Sequence, residues 1–137
     1  MTTAAGSAER KRSFLVVDDE PFIVEYVRQV LSRLGHNVQG ARDGEEAWTT
    51  FERHRDQIDV VITDIVMPGS FDGFALAGKI QRSRPGIPVV FMTGALPDDD
   101  PRALQLNEKR LLLKKPFFPA QLMAILREQL AVVDVPV

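Results

Sequence analysis

Four short apolar runs constrain this chain more than any other feature: Phe14 to Val17, Val60 to Ile62, Val89 to Met92 and Leu111 to Leu113. None alternates apolar with polar residues, as a strand with one wet face does. Each therefore reads as a strand buried on both faces, the habit of a parallel sheet covered by helices.

The intervening segments carry helical spacing. Ile23, Val27, Val30, Leu31 and Leu34 form one stripe that ends at Gly35, with Pro21 in the first turn. Asn37 to Ala41 supplies a further strand. Asp43 is the expected cap of a second helix, in a capping box with Glu46, and Ala47, Trp48 and Phe51 form its buried side. A third helix is expected from about Gly73 to Ser83, and a last one from Pro119 to about Val133 with Leu122, Ile125, Leu126 and Leu130 inward. Between Pro97 and Arg110, Pro101 after Asp100 suits a helix start, so a short or mobile fourth helix is expected. Strands alternating with helices give an α/β fold, a mainly parallel sheet with right-handed crossovers.

At 137 residues and 45% hydrophobic content the chain suits one core, not two. The expected organisation is a tail over 1–11, one domain over 12–133 and a tail over 134–137. With 17 Lys and Arg against 19 Asp and Glu, a formal charge of -2 gives no whole-chain field for direct nucleic-acid binding. The absence of cysteine excludes disulfides, thiolate zinc sites and cysteine nucleophiles. Neither a signal-peptide core nor an apolar run of membrane-spanning length is present, so no membrane role and a cytoplasmic location are expected.

Ligands of such sheets bind outside the carboxyl ends of the strands. The residues there are Asp18 and Asp19, Asp64, Thr93 and Lys115. Taken singly, each has an ordinary explanation: Asp18 or Asp19 as a helix cap, Asp64 as a turn residue, Thr93 as a β-branched strand residue, Lys115 as a solvated lysine. Together they place three carboxylates, a hydroxyl and an ammonium on one rim. Adjacent carboxylates repel unless a cation neutralises them, and hard oxygens suit Mg²⁺. Beside such an ion, Asp64 can act as a nucleophile toward a phosphoryl group. Thr93 can hydrogen-bond a phosphoryl oxygen and Lys115 can serve as counter-ion.

These residues, in the order Val16-Val17-Asp18-Asp19-Glu20, Asp64-Ile65-Val66-Met67-Pro68, Asp72-Gly73, Met92-Thr93-Gly94 and Lys115-Pro116-Phe117, resemble the receiver domains of two-component response regulators. The likeness runs from about Ser13 to Val133. It implies a doubly wound, five-stranded, flavodoxin-like sheet of order 2-1-3-4-5. It also implies Asp64 as phosphoacceptor, Mg²⁺ (with Mn²⁺ as the alternative ion) on Asp18, Asp19, Asp64 and the backbone carbonyl of Val66, Thr93 as switch hydroxyl, and Lys115 before a cis Pro116. The implied partners are a sensor histidine kinase or phosphotransfer protein as donor and a downstream protein target. The chain would be no enzyme beyond its own phosphorylation and dephosphorylation.

Three departures matter. The Gly69-Ser70-Phe71 stretch makes the loop before Asp72-Gly73 one residue longer than the commonest spacing. Leu112 stands where many receivers carry the aromatic partner of the switch threonine, which shifts the expected switch to the loop after Thr93 and the fourth helix. Val66 and Ala95, both apolar, cannot orient an attacking water, so slow self-dephosphorylation is expected.

Rival readings fit less well. A haloacid-dehalogenase-like phosphatase needs an acid two residues after its nucleophile, where Val66 stands. A receiver that no longer accepts phosphate would lack some of the five groups. A phosphotransfer histidine finds no support, because His36 lies by a strand start and His54 lies between Arg53 and Arg55.

Overall fold

A computed structural model describes residues 11–134 of the chain, so the expected tails over 1–11 and 134–137 lie almost entirely outside the described residues. Five strands and five helices alternate: β1 Ser13–Val17, α1 Pro21–Ser32, β2 Asn37–Ala41, α2 Gly44–Arg53, β3 Val60–Asp64, α3 Gly73–Ser83, β4 Val89–Thr93, α4 Pro101–Glu108, β5 Leu112–Lys114 and α5 Pro119–Asp134. The strands form one sheet of order β2-β1-β3-β4-β5, parallel at every pairing. This is the doubly wound order that the sequence implied.

The absence of alternation in the apolar runs now has its physical reason. Phe14, Val16, Val60, Ile62, Val90, Met92 and Leu113 pack against α1 and α5 with Val27, Leu31, Leu122 and Leu126. Their neighbours Leu15, Val17, Val61, Val89, Phe91 and Leu112 pack on the opposite side with Ala47, Phe51, Leu76, Ile80 and Ala103 of α2, α3 and α4. Both sets of side chains leave water, so both must be apolar.

Local expectations hold with two corrections. Leu34 does not join the stripe of α1, because the helix ends at Ser32 and Leu34 falls in the turn before Gly35 (φ 88°), where it is 53% exposed. Asp43 caps α2 by accepting from the Glu46 N–H at 2.8 Å, but Glu46 reaches back one residue further than a capping box requires, to the Arg42 N–H at 2.9 Å. The fourth helix is formed and short, with Asp100 accepting from the Arg102 N–H at 2.8 Å and Pro101 in its first turn.

Candidate functional site

The carboxyl edge of the sheet collects the predicted residues. Parallel pairing brings the ends of β1, β3 and β4 side by side: Val17 pairs with Thr63, and Asp64 with Met92. Asp18 therefore follows β1 beside the end of β3, and Thr93 follows one residue beyond Asp64's partner. Lys115 follows β5, its N–H donating to the Thr93 carbonyl at 2.7 Å, and the Lys115-Pro116 peptide is cis, as the resemblance implied.

Asp18, Asp19 and Asp64 each present a carboxylate oxygen within 4.8 Å of the others. Asp18 is fully buried, Asp64 nearly so, and Asp19 opens to solvent. The Lys115 ammonium lies 2.7 Å from Asp18 Oδ2, 3.4 Å from Asp64 Oδ2 and 3.5 Å from Glu20 Oε1. Backbone donors hold the other oxygens: Asp18 Oδ1 accepts from the Glu20 N–H and Asp64 Oδ1 from the Ile65 N–H, both at 2.9 Å. These bonds fix the two carboxylates before any ligand arrives.

One ammonium against three carboxylates and Glu20 leaves the cluster short of positive charge. Burial, then the charge of Asp18, pushes the Asp64 carboxyl up to about 6 against the pull of Lys115 and the Ile65 N–H. Burial likewise raises Asp18. For Lys115 burial acts downward, but contacts with Asp18 and Asp64 outweigh it and hold the ammonium above its ordinary value. Asp18 Oδ2 is enclosed, and the Lys115 ammonium at 2.7 Å is its close counter-charge. Three carboxylates whose oxygens lie within 4.8 Å of one another, with one ammonium contacting two of them, present hard donors that fit a divalent cation such as Mg²⁺.

The remaining predicted residues lie on the same rim. Thr93 is buried, and its Oγ1 accepts from the Leu96 N–H at 2.9 Å and the Ala95 N–H at 3.3 Å, so the hydroxyl organises the loop that leads to α4. Val66 follows Asp64 by two residues and is 57% exposed, and Ala95 is also exposed. Gly73 explains the Asp72-Gly73 pair: a Cβ there would stand 2.1 Å from the Asp64 carbonyl oxygen, while Asp72 caps α3 by accepting from the Ala75 N–H at 2.9 Å. Only glycine lets α3 begin against the end of β3. Leu112 is buried, on the face that holds Ala103 and Leu106 of α4. Glu20 was quoted in the sequence motif without a role, and its contact with Lys115 has no separate signal in the sequence.

Comparison with known proteins agrees with this geometry. The family model described as "Response regulator receiver domain" matches residues 14–127. The chain is 38% identical over 121 residues to a probable transcriptional regulator, ycf27, of Guillardia theta, covering 87% of this chain and 45% of that protein. It is 34% identical over 130 residues to the sensor kinase CckA of Brucella abortus, covering 94% of this chain and 13% of the kinase. A response regulator receiver domain protein from Clostridium thermocellum superimposes with a TM-score of 0.76 at 27% identity, covering 89% of this chain and 96% of that one. The chain spans about half or less of the length of the curated relatives it matches. Sheet order, the acidic rim and the family match converge: the chain belongs to the response regulator receiver domain family of two-component signalling.

Proposed function

We propose that residues 12–133 form a phosphoacceptor module in which Asp64 receives a phosphoryl group from a phosphohistidine of a sensor kinase or phosphotransfer protein, and which then signals to a protein target. Receiver domains are phosphorylated on an aspartate by kinases and bind Mg²⁺ at an acidic cluster. The observation that carries the assignment is the cluster of Asp18, Asp19 and Asp64 within 4.8 Å, with Lys115 touching two of the three.

In this reading Asp18, Asp19, Asp64 and the Val66 carbonyl would hold Mg²⁺ or Mn²⁺, which would supply screening between the anionic nucleophile and the anionic phosphoryl group. The chain's own residues do the rest. An Asp64 oxygen forms the new O–P bond while the P–N bond to the donor imidazole breaks, and the imidazole takes a proton from solvent. The bond from the Ile65 N–H steadies the carboxylate during attack. Lys115 leaves Asp18 for the negative charge carried onto Asp64. The Thr93 O–H donates to a phosphoryl oxygen, and because the same hydroxyl accepts from the Leu96 N–H, its reorientation is passed to the loop leading to α4. With Leu112 in place of an aromatic partner, that loop and α4 carry the response. Neither Val66 nor Ala95 can orient water, so the acyl phosphate hydrolyses slowly.

Exposed Phe22 at the start of α1 and Phe118 before α5, 65% and 76% accessible, supply apolar surface for the donor. Tyr26 links those two elements by donating to the Phe117 carbonyl at 2.9 Å. No helix among the described residues is long and apolar enough to cross a membrane.

Intact-mass analysis after incubation with Mg²⁺ and acetyl phosphate tests the assignment. The wild type gains one phosphate and Asp64→Asn gains none. An adduct of equal yield in the variant removes Asp64 from its role.

A further inference from the structure

The loop between β3 and α3, one residue longer than the spacing the resemblance makes commonest, is tied to α2 and α3 by contacts at Ser70 and Phe71. Phe71 lies against the first turn of α2: a Cβ built on Gly44 would stand 2.8 Å from two ring carbons of Phe71 and 2.9 Å from its carbonyl oxygen. Glu45 accepts from the Ser70 N–H at 3.4 Å, and beside it Gly69 has φ 105°. The Lys79 ammonium of α3 sits 4.8 Å from the Trp48 ring centre and 5.9 Å from that of Phe71, so one cation joins the loop's aromatic ring to that of α2. The Gly73 N–H donates to the Ile65 carbonyl at 2.8 Å and closes the loop on itself. The segment that contains Val66 therefore runs between two anchors, Asp64 and the Phe71 contact.

We propose that Phe71, seated on Gly44 and beneath Lys79, is a positioning residue that holds the Val66 segment at the carboxylate cluster and thereby sets its affinity for a divalent cation. The inference rests on the reading of Asp18, Asp19 and Asp64 as a cation site. Backbone ligands have no rotamers to adjust, so their placement depends on what fixes the loop, as outer partners fix side-chain ligands. Gly44 belongs to the same device because any side chain there would displace the ring.

Titration calorimetry with Mg²⁺ on the full chain at pH 7.5 tests this, with wild type, Phe71→Ala, Phe71→Leu, Gly44→Ala and Asp64→Asn compared. Phe71→Ala and Gly44→Ala bind Mg²⁺ about tenfold more weakly, and Phe71→Leu falls between them and wild type. Trp48, the single tryptophan, gives a second readout: Mg²⁺ shifts its emission in wild type and not in Phe71→Ala. Should Phe71→Ala fail to fold, Phe71→Leu and Gly44→Ala carry the comparison. Variants that melt lower yet bind Mg²⁺ with wild-type affinity would make the ring a packing residue only and overturn the proposal. A wild type that binds no Mg²⁺, or an Asp64→Asn that binds it as wild type does, would instead overturn the reading of the site itself.

Discussion

The two ends of the sheet put their polar groups to different use. At the amino edge, buried His36 accepts the Arg12 N–H on Nδ1 at 3.0 Å, and Asp59 accepts the Ser13 N–H at 2.8 Å. The Asp59 N–H returns a bond to the Ser13 carbonyl, and the Asn37 N–H one to the Arg12 carbonyl. Each of these bonded groups has its partner, and the edge is a fastening. At the carboxyl edge, Asp18, Asp19 and Asp64 crowd together, with the Lys115 ammonium 2.7 Å from Asp18 and 3.4 Å from Asp64. The same fold fastens one edge through backbone and side-chain pairs and gathers negative charge at the other, which suits a site for a cation and a phosphoryl group.

Removing the ammonium breaks this contrast most severely. Lys115→Met leaves Asp18 and Asp64 facing each other without their counter-ion, and the ion-free protein should lose about 2–3 kcal/mol in urea unfolding at pH 7.5. Mg²⁺ should restore a large part of that loss. No recovery with Mg²⁺ would mean that the edge is a structural ion pair and not a cation site.

A smaller effect is expected at the matched edge. Asp59→Ala leaves the Ser13 N–H without its side-chain acceptor and should cost about 1–2 kcal/mol. The yield and rate of labelling by acetyl phosphate should stay at the wild-type level. A variant that labels poorly while still folded would show that the two edges are coupled.

The smallest effect is one of sign. Asp64 titrates near about 6 in the folded chain against 3.8 in the unfolded one, so its contribution is fully present below 3.8 and is lost as pH rises through about 6. His36 is lowered from 6.5 by burial, then by Arg12, against a weaker pull from Asp59, so its contribution is present above 6.5 and lost as pH falls. In Mg²⁺-free urea unfolding, the stability gained by Asp64→Asn should therefore be larger at pH 7.5 than at pH 5. The penalty of His36→Asn should shrink at pH 5. Slopes of the same sign would erase the distinction between the edges.

The sheet was legible in the sequence because burial on both faces leaves an unambiguous record: apolar runs without alternation, each followed by a polar residue at the edge where ligands bind. Asp100-Pro101 marked the start of α4, and Asp72-Gly73 marked that of α3. Leu34 misled, because helical spacing continues in the sequence past the point where the chain unwinds toward Gly35. The register of the Glu46 bond depended on a one-residue choice that propensity does not resolve. Within the site, the five groups were legible as strand-end residues, but their pairing was not. Lys115 was read as a counter-ion on this rim, and the sequence does not say for which carboxylate: it sits closer to Asp18 than to Asp64. The Phe71 contacts with Gly44 and Lys79 were equally hidden, since they join segments distant in sequence and depend on the path of a lengthened loop.

The central claim is that the charge-deficient edge exists for acyl phosphate formation at Asp64. Borohydride reduction of the acetyl phosphate-treated protein, followed by peptide mapping, tests it directly, because reduction converts a phosphorylated aspartate to homoserine and marks the position. The account predicts homoserine at 64, dependent on Mg²⁺ and absent from 18 and 19. Homoserine at 18 or 19 with 64 unmodified would contradict it.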